Sequence, residues 1–324
     1  MILTTMQQPA IVFLDVDTED EKIVQQRFPS VRFVDATLRG GALVKACRDA
    51  GVISCFINTP FPREVLEQLP KLKLLCTRSV GFDHIDLEVC RERDIVVTNV
   101  PDYGAHVIAE HVFALLLSLM RHIPEGHQRV LGGSFDYHLL KGIALCGKTI
   151  GIVGTGKIGQ RVARIAHGFD MKILAEDIHQ DAVLTKTYGV HYVPRARLFA
   201  ESDIISLHVP ALPDTVLMLN KDTFAQMKDG VIIVNTARGT IIDSSDLVEA
   251  LDARKVRFAL LDVLSNEANL EDEAALIRHP RVIVTPHIAF YADDSVKAML
   301  AETFRSIEEW QAGKTPEHAV AAKK

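Results

Sequence analysis

The chain has 324 residues, with 42 acidic against 36 basic side chains, a formal net charge of −6, and 48% hydrophobic and 24% charged content. At roughly 150 residues per domain, that length predicts about two domains with ample apolar material for a buried core. The acidic balance without a Lys/Arg stripe argues against nucleic acid as the main partner, and the composition excludes collagen-like, disordered and disulfide-scaffold chains.

The first ten residues, MILTTMQQPA, have neither the basic start nor the sustained apolar stretch of a secretory signal. Strands are predicted at Ile11–Leu14, Val52–Ile57, Leu72–Cys76 and Ile95–Thr98. The segment Asp102–Leu140 is mainly helical in pattern and is expected to bridge two series of elements. Its most apolar run, Val112–Met120, is far shorter than the roughly 20 residues a membrane helix needs. Further strands are predicted at Thr149–Val153, Lys172–Ala175, Ile204–Leu207, Val231–Asn235, Phe258–Asp262 and Val282–Thr285. Helix patterns such as Lys157–Phe169 and Ser244–Leu251 fall between them. Continuous apolar strands alternating with helices read as a doubly wound, parallel α/β architecture. The tail AVAAKK is expected to fray. The five cysteines, Cys47, Cys55, Cys76, Cys90 and Cys146, are scattered and form no C-x-x-C pair. They predict reduced thiols and a cytoplasmic setting.

Two glycine motifs compete for attention. Gly154-Thr-Gly156-Lys-Ile-Gly159 follows a predicted strand and opens a helix pattern, and the next strand ends at Asp177. In a dinucleotide-binding turn the first glycine permits the tight turn and the second lets backbone approach the pyrophosphate. The third lets the helix pack on the strand. The helix N-terminus then offers N–H groups to phosphate, and a carboxylate ending the second strand takes the ribose hydroxyls. With no Arg directly after Asp177 to accept a 2′-phosphate, NAD is favoured over NADP. The other match, Gly142 to Gly147-Lys148-Thr149, fits the Walker A spacing, but Lys148-Thr149 leads into a strand instead of opening a helix. That match is read as accidental.

Three polar residues stand just past predicted strand ends: Arg238, Glu267 and His287. Ligands of open parallel sheets bind outside the carboxyl ends of strands. Oxidising a 2-hydroxy acid removes a hydroxyl proton as the C2 hydride leaves, which suits a histidine. A carboxylate orients the imidazole, and an arginine grips the substrate carboxylate with its planar fork. Taken singly, each has a plainer alternative: a surface ion pair for Arg238, the start of the acidic loop EANLEDE for Glu267, a packed loop histidine for His287. The spacings His106/His111 and His122/His127 place no two ligands on one helical face, and no metal or serine-nucleophile motif is present.

Several stretches in order then resemble the D-isomer-specific 2-hydroxyacid dehydrogenase family over essentially the whole chain. They are RSVGFDHID (78–86), TNVPDYGAHVIAEH (98–111), GKTIGIVGTGKIGQ (147–160), DIISLHVP (203–210), VNTARGTIIDSSDL (234–247), LLDVLSNE (260–267) and TPHIAFY (285–291). The resemblance implies two doubly wound parallel-sheet domains, with a Rossmann-type cofactor domain (103–289) inserted in a discontinuous flavodoxin-like substrate domain (1–102 and 290–324). It implies Arg238 as substrate anchor, His287 as proton donor and acceptor, and Glu267 as the histidine's partner. Arg78 and the backbone N–H groups of Val80 and Gly81 are implied at the substrate. Around NAD it implies Gly154, Gly156, Lys157, Ile158, Gly159, Asp177, His208, Val209, Pro210, Thr215, Thr236, Ala237 and Asp262, the last near the nicotinamide amide. Cofactor domains of the family pair as homodimers, the 105–122 helix contributing.

HIAFYADDSV after the histidine, and Tyr103 in VPDYG, resemble the D-lactate dehydrogenase branch, with Tyr103, Phe290 and Tyr291 walling a pocket suited to pyruvate. Packed core aromatics are the plainer account of these three. Leu264 stands where an aromatic is common and Ala268 where proline usually follows the glutamate, so the substrate stays open, with glyoxylate or hydroxypyruvate reductase as the alternative. Formate dehydrogenases carry glutamine in place of Glu267. Phosphoglycerate dehydrogenases often append a regulatory domain, for which this length leaves no room, though short forms exist. NAD-sensing corepressors retain the same three residues but carry long tails.

Overall fold

A computed structural model describes residues 9–320. The chain folds into two compact units, one formed by residues 1–103 and 293–324, the other by 104–292. The first unit holds strands β1 (Ala10–Leu14), β2 (Arg32–Val34), β3 (Ala50–Cys55), β4 (Leu74–Thr77) and β5 (Val96–Thr98). They lie in the order β2-β1-β3-β4-β5 with every pairing parallel, the order of flavodoxin-type sheets.

Both faces of this sheet must be covered, because β3 and β4 are buried throughout. Leu43, Val44, Leu66 and Val89 pack on one face. On the other, the C-terminal helix Asp293–Gln311 returns to lay Leu300, Phe304 and Ile307 against Phe13, Val52 and Leu74. The Phe28 and Phe304 rings meet edge to face at 5.4 Å, a favoured aromatic geometry. The expected fraying is corrected for the first two tail residues. Ala319 bridges Thr98 antiparallel, and the Val320 N–H donates to the Val97 carbonyl at 2.8 Å. The rest of that tail, 321–324, lies outside the described residues, as do residues 1–8.

The second unit holds β6 (Thr149–Val153), β7 (Lys172–Glu176), β8 (Val190–Tyr192), β9 (Ile204–Leu207), β10 (Val231–Asn235), β11 (Val256–Leu261) and β12 (Val282–Val284). Their order is β12-β11-β10-β9-β6-β7-β8, again all parallel. The order in which strands are added reverses between β6 and β9, the crevice where doubly wound folds take ligands. The helical segment expected to bridge two series belongs from Gly104 onward to this unit, as helices Ala105–Met120 and Ile123–Leu131. The first of these buries Val112, Phe113 and Leu116 against Val162, Ala163 and Ala166 of helix Lys157–Gly168. The core of its own unit therefore accounts for that helix's apolar length. Among the described residues, no single helix is long and apolar enough to cross a membrane.

All ten predicted strands are present within a few residues. The two that the sequence pattern did not reveal, β2 and β8, are the three-residue edge strands RFV and VHY, each paired on one side. An edge strand that short needs no sustained apolar run. All five cysteines carry free thiols, four of them buried and Cys146 exposed. Burial pushes the Cys55 and Cys76 thiols up to about 12, which leaves them unreactive.

Candidate active site

Because every strand of the second sheet points the same way, the segments that leave the strand ends share one edge. Gly154 follows β6, Asp177 follows β7 and His208 follows β9. Thr236 to Arg238 follow β10, Asp262 follows β11 and Thr285 follows β12.

The glycine turn is dictated by contact. Gly154 has φ +92°, and a Cβ there would lie 2.6 Å from the His208 carbonyl oxygen. A Cβ on Gly159 would meet the Gly154 carbonyl at 2.0 Å, so only glycine lets helix Lys157–Gly168 sit this close to β6. Around Gly156 nothing lies within 4 Å of a Cβ position, and this residue caps the helix with no side chain. An open approach to a helix N-terminus is what a pyrophosphate requires. At the end of β7, Asp177 accepts hydrogen bonds from Thr155 N (2.5 Å), Thr155 Oγ1 (3.1 Å) and His179 N (2.8 Å). Burial raises its pKa, but these donors outweigh burial and hold the carboxyl below its ordinary value. The carboxylate is thus fixed and ionised with lone pairs left for a ribose. The Thr236 hydroxyl is buried without a partner beside β10. These features fit a dinucleotide. By contrast, Lys148 and Thr149 run into β6 and open no helix.

Three loops build the polar corner past β10, β11 and β12. Asn235, at the end of β10, donates from Nδ2 to the Arg238 carbonyl (2.9 Å) and accepts from Ala237 N (3.0 Å), which folds back the turn that presents Arg238. Next to it, a Cβ on Gly239 would lie 2.0 Å from the Leu264 carbonyl carbon. Glycine there lets the β11 loop, which carries Glu267, close against the Arg238 turn. His287 Nδ1 sits 3.0 and 3.1 Å from the two oxygens of Glu267. The imidazole and the carboxylate are partly exposed, at 24% and 40%. Nδ1–H therefore donates to the carboxylate and Nε2 is left to exchange a proton. Among the described residues, no His/Cys/Asp/Glu group could hold a metal ion.

The family model described as "D-isomer specific 2-hydroxyacid dehydrogenase, NAD binding domain" matches residues 113–289. The chain belongs to this family. D-lactate dehydrogenase of Escherichia coli is 36% identical to this dehydrogenase over 285 residues, 84% of this chain and 86% of that one. Hydroxypyruvate reductase of Blautia hydrogenotrophica is 36% identical over 265 residues, 79% and 81% of the two chains. The solved D-lactate dehydrogenase of Aquifex aeolicus, complexed with NAD and lactic acid, superposes with a TM-score of 0.87 at 32% identity, covering 97% of this chain and 100% of that one. This dehydrogenase is an NAD-dependent oxidoreductase of D-2-hydroxy acids.

Other expected site residues are placed less simply. Arg78, expected at the substrate, is 4% exposed. Its guanidinium donates to Ser54 Oγ (2.8 Å), the Leu14 carbonyl (2.6 Å) and the Asp15 carbonyl, and lies over the Phe13 ring. It ties β4 to the end of β1. The loop after it is fixed through carbonyls. Ser79 accepts from Val100 N (3.0 Å), Val80 from Asn99 Nδ2 (2.8 Å) and Gly81 from its neighbour Ser79 Oγ (2.5 Å). Tyr103 is buried in the same unit.

In the second unit, Phe290 stands edge-on to His287 with ring centroids 6.4 Å apart, and Tyr291 is 55% exposed. Thr215 gives its hydroxyl proton to the Pro210 carbonyl at 2.5 Å and so orders the turn after His208 and Val209. His208 accepts or donates at Nε2 to Ser206 Oγ, 2.8 Å away, and burial pushes its pKa down to about 3. Asp262 is 1% exposed and accepts from the Ile288 and Ala289 N–H groups at 2.9 and 2.8 Å. Much of its carboxylate is therefore spent on the turn that holds His287. Asn235, Thr285 and His111 were not singled out from sequence as parts of this corner, although all three fall within the family-like stretches.

Proposed function

We propose that this dehydrogenase interconverts pyruvate and D-lactate, with His287 moving the proton. The observation that carries the reading is the clamp of His287 Nδ1 by both Glu267 oxygens, beside an arginine turn and a dinucleotide-type glycine turn on one sheet edge. NAD, when bound, supplies or accepts the C2 hydride. In the reductive direction the proton leaves His287 Nε2 for the carbonyl oxygen of the keto acid, and Glu267 stabilises the imidazolium before the transfer. In the oxidative direction the neutral imidazole takes the hydroxyl proton. Arg238 grips the substrate carboxylate and polarises its carbonyl oxygen. Gly154, Gly156, Lys157, Ile158 and Gly159 cradle the pyrophosphate and Asp177 the ribose. His208, Val209, Pro210, Thr215, Thr236, Ala237 and Asp262 line the remainder. Phe290 and Tyr291 favour a small keto acid.

Initial rates of NADH oxidation with pyruvate, phenylpyruvate, glyoxylate and hydroxypyruvate test the reading, with NADPH as the cofactor control. Pyruvate with NADH is expected to give the highest kcat/KM. A preference for glyoxylate or hydroxypyruvate keeps the mechanism and overturns the role given to the aromatic residues. Reduction of none of them overturns the substrate class.

The same reading makes the protein a cytoplasmic homodimer joined through its cofactor domain. Ile123, Val130, Leu131, Phe135, Tyr137 and Leu139 follow one another along an exposed apolar stretch, Phe135 and Leu139 at 91% and 94% exposure. Apolar clusters of that kind mark interaction surfaces. Sedimentation velocity is expected to show a dimer that Phe135→Glu with Leu139→Glu converts to monomer. A monomeric parent chain overturns it.

A further inference from the structure

His287 is held in a backbone conformation it does not favour. Its φ is +54°, in the left-handed region that a β-carbon disfavours. Such a residue stays there only when its surroundings over-determine it. The peptide N–H of His287 donates to the Asp262 carbonyl at 2.9 Å, and the next two N–H groups go to the Asp262 carboxylate. Behind that carboxylate stand two groups with no part in the proposed reaction. Thr285 Oγ1 lies 2.5 Å from Asp262 Oδ1 and 3.1 Å from His111 Nε2.

Proton accounting fixes the direction of this chain. The Thr285 hydroxyl donates its only proton to Asp262 Oδ1. The hydroxyl then faces His111 with a lone pair, and His111 Nε2 must carry the hydrogen. The result is a relay of donors, His111 Nε2–H to Thr285 O–H to Asp262. His111 Nε2 is also 3.5 Å from Asp262 Oδ1. His111 lies on the first helix of its unit and Thr285 on the last strand-exit loop before the unit ends. The relay therefore ties the first and last parts of this unit to the turn that presents the acid–base histidine.

We propose that Thr285 and His111 are positioning residues for His287. They fix the Asp262 carboxylate, which in turn sets the left-handed turn and so the aim of the imidazole at Glu267 and at substrate. This rests on the acid–base role given to His287 above. Misplacing a catalytic group by about 1 Å costs on the order of a hundredfold in rate, so the effect belongs in kcat and not in cofactor affinity.

The test uses the full chain with Thr285→Val, which keeps shape and loses the hydroxyl, Thr285→Ser, which keeps the hydroxyl, and His111→Phe. Thr285→Val is expected to lower kcat for pyruvate about ten- to hundredfold, with the NADH Kd from fluorescence titration within twofold of the parent. Thr285→Ser is expected to restore most of the rate. His111→Phe should lower kcat less, and combined with Thr285→Val it should add nothing further. A second readout needs no activity. The rate of carbethoxylation of His287 by diethyl pyrocarbonate in the apo protein, followed by peptide mass spectrometry, should change in Thr285→Val and return in Thr285→Ser. Unchanged kcat and labelling in Thr285→Val overturn the proposal. So does a loss that Thr285→Ser fails to restore, or one that tracks a fall in Tm. If the parent chain reduces none of the keto acids, the activity reading fails by itself, and the labelling rates decide the positioning claim: equal rates in all three proteins overturn it.

Discussion

His208 and His287 occupy equivalent places, each just past a strand end on the same edge of one parallel sheet, and their surroundings give them opposite chemistry. His208 follows β9, meets a neutral hydroxyl on Ser206, and is pushed by burial down to about 3. His287 follows β12 and meets both oxygens of a carboxylate in a partly exposed setting. A histidine at a strand end is therefore only a position. Its surroundings decide the rest: burial keeps His208 a neutral polar group, and a carboxylate orients the ring of His287. Around His208 the backbone does the work, since its carbonyl is the wall that forces glycine at position 154. Around His287 the side chain does the work, and the backbone is bent to aim it.

The largest break in this comparison removes the carboxylate-bound ring. His287→Ala is expected to lower kcat about 10²- to 10⁴-fold, the range a positioned general acid contributes. NADH should bind as before, because the cofactor turn lies on other strands. Turnover within tenfold of the parent would show that His287 carries no proton. A smaller change makes His287 more like His208 by replacing its charged partner with a neutral one. Hydrogen bonds to charged groups contribute about 1.5–3 kcal/mol, and each 1.36 kcal/mol is tenfold in rate. Glu267→Gln should then cost about ten- to hundredfold in kcat with KM for NADH unchanged. An unaltered kcat would make Glu267 a structural neighbour only.

The same contrast explains what the sequence made legible. The glycine turn was readable because it is local: Gly154, Gly156, Gly159 and Asp177 lie within one βαβ unit, and close backbone contacts demand glycine at 154 and 159. The corner of Arg238, Glu267 and His287 was visible as three strand-end residues, but only an ordered family of motifs joined them. What holds them was hidden. Asn235 reads as the polar end of a buried strand, and Thr285 as a strand residue. His111, weighed only for metal spacing, finds its partner 174 positions away in sequence. The partners of Arg78 were hidden for the complementary reason. The family resemblance places it at the substrate, and only the fold reveals that the end of β1 supplies carbonyls for its guanidinium. Edge strands β2 and β8 escaped because a three-residue strand paired on one side leaves no periodic signature.

The smallest effect expected concerns stability, and it tests the other half of the comparison. The His208 pKa is depressed in the folded protein, to about 3 against an ordinary value of about 6.5. The unfolded chain therefore binds a proton at this residue, between those two values, that the folded protein refuses. Folding stability from this residue is fully present above about pH 6.5 and is lost as pH falls below it, levelling off only near pH 3. The slope is at most about 1.4 kcal/mol per pH unit. His208→Asn keeps a polar group near Ser206 and removes the titration. Urea midpoints measured at pH 7 and pH 5 should fall further in the parent than in this variant, the difference amounting to at most about 2 kcal/mol. Parallel losses in the two proteins would mean that His208 accepts its proton in the folded state as easily as in the unfolded one. The depression of the His208 pKa by burial would then be overturned, and the two strand-end histidines would differ in partner alone.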